Sequence, residues 1–237
     1  MKRAQEKPIL FSAPMIQAIL RNAKSQTRRV LMPQPTFNAH GCWYPRAETH
    51  PGSLHYASET HFIKGAADDF APYFAGQTLW VRETFAVPPG SDNQSEAVYR
   101  ADVGDLEEEA SIRRLTGRKL VPWKPSIFMP RWASRITLRV ESARVERLKD
   151  ITEADAVAEG CSGRDAEPVA EGGTIYAWRG RSSAPCPRAH YARLWDRLNE
   201  KRGYDWMTNP WVYVITFSVL SVRGRDAEAQ PMAEARP

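Results

Sequence analysis

The chain has 237 residues, of which 42% are hydrophobic and 26% are charged, and its net charge is +5. This composition is typical of a folded globular protein and excludes a disordered or fibrous one. The length predicts one elaborated domain over residues 1–220, and no apolar run is long enough to cross a membrane. Because residues 1–12 lack the apolar centre of a signal peptide, we expect a cytoplasmic protein.

The first predicted elements are a strand over residues 8–12 and a helix with Pro14 at its first position, where the missing N–H is tolerated. Residues 15–20 supply an apolar helical stripe. Residues 21–29 then carry four cations and no acid, and place Lys24 three residues before Thr27. This pair fits phosphate binding by a charged Lys24 with Arg28 and Arg29. It fits equally a reaction in which Lys24 accepts the Thr27 hydroxyl proton.

Residues 77–85 predict a strand that follows a turn at Gly76. Alternation places Leu79 and Val81 on one face, and Trp80, Arg82 and Thr84 on the other. Trp80 and Arg82 are candidate binding residues, and in a nucleic-acid reader Trp80 or Trp132 would stack on a base. Glu83 follows this apolar strand, and we expect it to pair with an arginine. Both a structural and a binding role fit Glu83.

A basic region lies between Arg118 and Arg147, with eight lysines or arginines and two glutamates. Clustered positive charge favours an anionic partner, most commonly nucleic acid. Residues 123–132 interleave aromatic and cationic side chains, which suits base stacking with phosphate contacts. Buried tryptophans beside surface cations would give the same string. The candidate binding residues in this stretch, predicted to be an extended loop, are Lys124, Ser126, Arg131 and Trp132.

Residues 136–140 alternate as a strand, but Val145 has the opposite parity, so we expect a bent strand or a hairpin near Glu141. The segment 152–155 resembles a capping box and predicts the start of a short helix, which Gly160 can end. Glu159 therefore lies at the C-terminus of that helix.

The C-terminal part predicts a helix and a strand. Tyr191, Leu194, Trp195 and Leu198 form a helical stripe, and residues 211–219 form an apolar strand that closes a sheet. The tail over 221–237 is predicted to be disordered.

Three segments lack clear periodicity and are predicted to be insertions, at about 33–74, 88–121 and 162–188. A short strand at 97–100 and a helix at 105–115 are possible within the second. The three cysteines have no Cys-x-x-Cys spacing, so we expect reduced thiols. A cluster in the first insertion matches no zinc signature, and we expect neither a metal nor a cofactor. Its members are His40, Cys42, His50, His55 and His61.

These elements together resemble the ASCH domain, a relative of the PUA fold. The similar pieces are the Lys-x-x-Thr motif at 24–27, the Gly-x-x-Leu-x-Val strand at 76–81, and the segment 148–160, which ends in Ala-x-x-Glu-Gly. The whole chain also resembles phage and prophage ASCH proteins, through strings such as PILFSAPM, LWVRETF and NPWVYVITF. The resemblance implies an α+β fold, with a small PUA-like β-barrel, flanking helices and long loop insertions.

The resemblance also implies a function. Small bacterial members of the family are amidohydrolases that remove the acetyl group from N(4)-acetylcytidine. Their motif implies Lys24 as proton acceptor, Thr27 as nucleophile and Glu159 as proton donor, without a metal. Other members bind RNA or resemble ribonucleases. The alternatives are therefore a non-catalytic reader of nucleic acid, RNA in particular, or of modified bases, and a ribonuclease.

Overall fold

The computed structural model describes residues 6–38, 41–45, 53–56, 63, 72–87, 97–103, 122–161 and 186–223. These residues form a mixed α+β fold, mostly sheet with few helices, which confirms the predicted class. Ten strands lie in these residues: β1 (Lys7–Leu10), β2 (Gln26–Val30), β3 (Thr36–Asn38), β4 (Gly41–Pro45), β5 (Ser53–Tyr56), β6 (Thr78–Arg82), β7 (Phe85–Ala86), β8 (Val98–Tyr99), β9 (Ile136–Arg147) and β10 (Trp211–Val222). The α-helices among them are α1 (Ala13–Leu20), α2 (Glu153–Ala158) and α3 (Pro187–Asn199).

The largest sheet has the strand order β1-β6-β9-β10-β2. Strand β1 runs parallel to β6, β6 runs antiparallel to β9, and β10 runs antiparallel to β2. Within the described part of the chain this order does not close on itself. The barrel implied by the resemblance therefore stays a prediction. Two smaller antiparallel sheets contain β3-β4-β5 and β7-β8.

The chain divides into two compact units, and the division falls within β9 and β10. Unit 1 consists of Met1–Asn22, Ala75–Val140 and Phe217–Pro237, and unit 2 of Ala23–Phe74 and Glu141–Thr216. Alternation along the strands builds each core, since every second side chain faces inward. The core of unit 1 includes Ile9, Leu79, Val81, Ile136 and Leu138. The core of unit 2 includes Val30, Leu148, Tyr191, Trp195, Val212 and Val214.

Several local predictions are confirmed. Helix α1 has a proline in its first turn, and its buried residues include Ile16 and Ile19. Helix α2 begins with a complete capping box, because the Thr152 hydroxyl accepts from the Asp155 N–H and the Asp155 carboxylate accepts from the Thr152 N–H. Gly160 ends this helix with a φ of 93°.

The parity change near Glu141 lies within one continuous strand, β9, in which Val140 and Val145 are both buried, so the hairpin is excluded and the bend stays a prediction. The predicted apolar stripe on α3 is wrong at one position, because Leu198 is 50% exposed. The buried face is instead formed by Tyr191, Ala192, Trp195 and Asn199.

Three predictions about loops and the tail change. The first predicted insertion contains β3, β4 and β5, so a sheet lies where periodicity is weak. The proline-rich loop is not wholly extended, because Ser126–Phe128 and Arg131–Ala133 form single 3-10 turns. The predicted disordered tail begins too early, since Ser221 and Val222 belong to β10. Residues 105–115, 164–185 and 224–237 lie outside the described part of the chain.

None of the described helices has the length and apolar character needed to span a membrane.

Candidate functional site

Lys24 and Glu159 form a buried ion pair in unit 2. The Nζ atom of Lys24 donates to Glu159 Oε2 at 2.7 Å and to the Glu159 carbonyl oxygen at 2.8 Å. Only 2% of Lys24 and 6% of Glu159 is exposed. The backbone joins the same two segments, because the Ser25 N–H donates to the Ala158 carbonyl at 2.8 Å. The C-terminus of α2 therefore fixes the segment that precedes β2. Carbonyls at a helix C-terminus lack partners within the helix and interact favourably with a cation.

Arg28 binds the same glutamate from β2. Its Nη1 donates to Glu159 Oε1 at 3.2 Å and to Gln26 Oε1 at 2.5 Å. Its Nε and Nη2 both donate to Glu146 Oε1, at 3.0 and 2.8 Å. Nη2 also lies 3.3 Å from Asp155 Oδ2. The Arg28 side chain is 0% exposed, so each of these contacts is made away from bulk water.

Arg144 connects this network to the surface. Its Nε lies 2.7 Å from Glu146 Oε2, its Nη2 lies 3.0 Å from Asp155 Oδ1, and its side chain is 38% exposed. We call the whole set the buried ion network. It contains three cations and three carboxylates, so its formal charge balances. Its members are Lys24, Arg28, Arg144, Glu146, Asp155 and Glu159.

Burial and charge act on the network in opposite directions. Burial alone would lower the pKa of Arg28, but the carboxylates of Glu159 and Glu146 raise it, so the guanidinium stays charged. Burial alone would raise the pKa of Asp155, but hydrogen bonds from Thr152 and the charge of Arg28 lower it to about 2. Burial raises the pKa of Tyr191 well above its ordinary value, so this phenol stays protonated.

The structure places Thr27 on β2, three residues after Lys24, with 2% of the residue exposed. Gln26 and Arg28 share a hydrogen bond and therefore one face of β2. Because neighbouring strand residues point to opposite faces, Thr27 points to the other face. Arg29 shares that face, where the register places Thr27 opposite Ile215 and Arg29 opposite Tyr213.

Two tyrosines lie beside Arg29 on this second face. The rings of Tyr73 and Tyr213 are 6.5 Å apart, centroid to centroid. Burial raises the pKa of Tyr213 to about 12, although the charge of Arg29 partly opposes this. Of the predicted catalytic residues, Lys24 and Glu159 thus meet within hydrogen-bonding distance, while Thr27 belongs to the opposite side of the strand.

Trp80, Arg82 and Arg131 meet in unit 1. The guanidinium carbons of Arg82 and Arg131 lie over the Trp80 ring, at 4.6 and 6.0 Å from its centroid. Arg131 also forms an exposed ion pair with Glu6. Trp80 is only 8% exposed, and the two arginines lie next to its ring. Stacking of a base on Trp80 stays a prediction.

Glu83 pairs with an arginine, as expected, but deep in unit 1. It accepts from Arg135 Nε at 2.9 Å and from Arg135 Nη2 at 3.0 Å, and only 2% of it is exposed. Arg135 also donates to Asp102 and lies 4.0 Å from the centre of the Tyr99 ring. Burial raises the pKa of Glu83, against the opposing effect of Arg135.

The remaining predicted binding residues lie around the loop 122–134. Lys124 is exposed and pairs through its backbone with Phe85, and Ser126 begins the first 3-10 turn. Trp132 packs against the small core formed by Phe85, Met129 and Ala133. A large aromatic side chain at this position therefore has a structural role that does not depend on stacking with a base.

The predicted basic region is less basic than its sequence indicates. Arg131 and Arg135 face the carboxylates of Glu6 and Glu83, which are distant in sequence, and Arg144 faces the nearby Glu146. Arg118 and Lys119 lie outside the described residues.

Sequence reasoning missed Gln26, Glu146 and Arg144 as members of the buried ion network, and treated Asp155 only as a helix cap. One signal for burial was available. Arg28 alternates with Val30 on a strand whose antiparallel partner, β10, is almost wholly apolar. Glu146 carries no comparable signal.

The described residues contain no group of three or more His, Cys, Asp or Glu side chains placed so that they could hold a metal ion. Of the predicted cluster, His40, His50 and His61 lie outside these residues. Cys42 and His55 belong to β4 and β5, whose side chains are not described.

Comparison with protein-family models gives no match, and comparison with curated proteins gives none either. Among solved structures, the chain is weakly similar to protein EF3133 from Enterococcus faecalis V583, of family DUF984. The identity is 8%, the match covers 93% of this chain and 76% of that chain, and the TM-score is 0.37. At this TM-score the similarity carries no argument about the fold or the function.

Proposed function

We propose that this protein is an amidohydrolase that removes the acyl group from N(4)-acetylcytidine or a related modified nucleoside, in an ASCH-type domain with a PUA-like barrel. One observation carries the proposal. Lys24 and Glu159, separated by 135 residues, form a buried 2.7 Å hydrogen bond. These are the proton acceptor and proton donor that the sequence motifs imply.

The pair has chemistry suited to this role. Moving one proton along the hydrogen bond converts ammonium and carboxylate into a neutral amine and a carboxylic acid. The neutral pair holds a base and an acid together, as amide hydrolysis requires. The Arg28 guanidinium also donates to Glu159, at 3.2 Å, and so helps to hold this side chain beside Lys24.

The reaction proceeds in two halves. The Thr27 hydroxyl oxygen attacks the amide carbonyl carbon, and its proton passes to the Lys24 amine. The tetrahedral intermediate then collapses as Glu159 protonates the amine nitrogen, which releases cytidine and leaves the acyl group on Thr27. Water hydrolyses this ester and restores the hydroxyl. Since the Arg28 nitrogens are directed at Gln26 and the carboxylates, the donors to the oxyanion are backbone N–H groups near Thr27.

A second candidate function is a non-catalytic reader of nucleic acid or modified bases. The observation that favours it is the pleat of β2, which directs Thr27 away from the face where Arg28 meets Glu159. In a reader the Lys24–Glu159 pair stays ionised and serves only to fix the start of β2. Catalysis instead requires the Lys24 amine to approach Thr27 around the end of that strand.

The test measures cytidine release from N(4)-acetylcytidine by the wild type and by Lys24→Met, Thr27→Val and Glu159→Gln, each checked for folding by circular dichroism. Lys201→Met is the matched control, because Lys201 is exposed in a 3-10 turn. We expect each site variant to lose at least about a hundredfold in kcat/KM, as the removal of a base or nucleophile usually does, and the control to match the wild type.

A ribonuclease or reader gives a different result. Absence of cytidine release by the folded wild type, together with RNA binding that weakens steeply with salt, would exclude the amidohydrolase and favour the reader. Cleavage of the RNA used in that binding measurement would instead identify a ribonuclease.

A further inference from the structure

One sheet face of unit 1 carries a group of arginines around a tryptophan. Thr78, Trp80 and Arg82 alternate on β6 and therefore share a face. The register with β9 places Arg139 opposite Thr78 and Thr137 opposite Trp80, so those residues join the same face. We call these five residues the Trp80 face. The opposite face carries Leu79 and Val81 in the core.

Arg82 has no carboxylate partner among the residues that the structure describes. Its guanidinium carbon lies 4.6 Å from the centre of the Trp80 ring. Its Nε atom is buried and has no hydrogen-bond partner among the described residues. A buried guanidinium nitrogen without a hydrogen-bond partner lowers the free energy of unfolding, so this position of Arg82 carries a cost in stability. Arg82 as a whole remains partly exposed.

Arg131 lies over the same ring and is held only weakly elsewhere. Its Nε lies 2.7 Å from Glu6 Oε2, but the two side chains are 43% and 44% exposed. Exposed pairs of this kind contribute little, so an anionic ligand can replace Glu6. Arg139 adds a further exposed cation to the Trp80 face.

We propose that Arg82 and Arg131, oriented by Trp80, bind a phosphate group, with Arg139 contributing charge from the same face. Planar guanidinium groups bind phosphate through paired N–H donors, and stacking on an aromatic ring fixes their plane in advance. The phosphate is either free or part of a single-stranded nucleic acid. This site goes beyond the proposed amide hydrolysis, because a free nucleoside substrate carries no phosphate.

Replacement of Glu6 provides a test in which the affinity for phosphate is expected to rise. It competes with the phosphate for Arg131, so Glu6→Gln is expected to strengthen binding, by about two- to fivefold for an exposed pair. Arg82→Gln and Arg131→Gln are expected to weaken it at least about fivefold. A gain of affinity cannot result from damage to the fold, so the three variants together separate binding from instability.

The experiment titrates the full chain with two probes, inorganic phosphate and a fluorescent single-stranded RNA decamer, at several salt concentrations. Arg197→Gln is the matched control, since Arg197 is an exposed arginine on α3. For RNA, loss of one phosphate contact lowers the slope of log affinity against log salt by about 0.7. Binding of RNA identifies nucleic acid as the source, and binding of inorganic phosphate alone identifies a free phosphate.

The outcome decides the proposal in either case. It is supported if Arg82→Gln and Arg131→Gln weaken at least one probe while Arg197→Gln does not. It is overturned if the wild type binds neither probe, or if Arg82→Gln binds as the wild type does. If Arg82→Gln does not fold, the effects of Arg131→Gln and Glu6→Gln, in opposite directions, decide instead. Cytidine release from the free nucleoside is measured in parallel for the wild type and Arg197→Gln and is expected to be equal in both, so failure of this site is distinguishable from failure of the proposed hydrolase.

Discussion

Replacement of Arg28 by methionine tests how much the buried ion network stabilises unit 2. Arg28 lies 2.8 Å from Glu146, 3.2 Å from Glu159 and 3.3 Å from Asp155. At these distances each attraction is about 5 kcal/mol with an effective dielectric constant of about 20. Desolvation offsets several kcal/mol per ion, and breaking a buried pair typically costs about 3–5 kcal/mol.

Because other ion pairs of the network remain in Arg28→Met, the expected loss in the free energy of unfolding lies at the lower end of that range. Glu159 keeps Lys24 as a partner, while Glu146 and Asp155 keep Arg144. We therefore expect Arg28→Met to lower the free energy of unfolding by about 3 kcal/mol at pH 8. Arg28→Lys keeps the charge but loses the forked geometry, so its loss should be smaller.

Urea unfolding at pH 8 and pH 5, followed by circular dichroism, measures this loss. Besides the hydrogen bonds from Thr152, the charge of Arg28 lowers the pKa of Asp155, so without Arg28 this carboxylate takes up a proton at a higher pH. The difference between the wild type and Arg28→Met should therefore be smaller at pH 5 than at pH 8. Arg197→Met on α3 is the control and should stay within about 0.5 kcal/mol of the wild type.

Two results would refute this reasoning. A loss below about 1 kcal/mol at pH 8 would mean that the network contributes no more than a surface ion pair. An equal loss at both pH values would mean that packing, and not charge, accounts for the effect.

Three further predictions concern the surroundings of the network. Thr152→Ala removes the helix cap of α2 and should cost about 1 kcal/mol in urea unfolding, whereas Thr152→Ser should cost less. The folded pKa of Asp155, about 2, lies below its ordinary value of 3.8, so its ionised form stabilises the protein above that range and the contribution is lost as the pH falls through about 2. By itself this pKa difference would stabilise the folded state by about 2.5 kcal/mol, and solvent screening reduces the contribution to about 1 kcal/mol. Acid unfolding of Asp155→Asn should lack that part of the pH dependence. Tyr213, with a pKa of about 12, should stay protonated at pH 11, so Tyr213→Phe should leave the phenolate absorbance at that pH unchanged.

Local elements of the fold were largely predictable because short-range rules decide them. The capping box at Thr152 and the stop at Gly160 depend on neighbouring residues, and both are present. The exposure of Leu198 was not predictable, since an apolar residue at helical spacing does not reveal which side of α3 meets the sheet. The extent of β10 was missed because the polar Ser221 interrupts the apolar pattern near its end, while backbone pairing does not require apolar side chains.

Some features of the candidate site were likewise predictable from the sequence, and others were not. The contact between Lys24 and Glu159 could be expected only through the resemblance, because spacing along the chain does not bring two residues together across a fold. The burial of Arg28 was missed because its long-range partners, Glu146 and Glu159, are separated from it by more than a hundred residues. The position of Thr27 on the opposite face follows from strand alternation, once the start of β2 at Gln26 is known.

The most direct measurement is a crystal structure of Thr27→Val with N(4)-acetylcytidine bound, since this variant lacks the nucleophile and should retain the substrate. The account predicts that the amide carbonyl carbon lies about 3–3.5 Å from the side chain at position 27, with the Lys24 amine beside it and Glu159 within reach of the amide nitrogen. A nucleoside bound away from position 27, or on the face of β2 that carries Gln26 and Arg28, would contradict it.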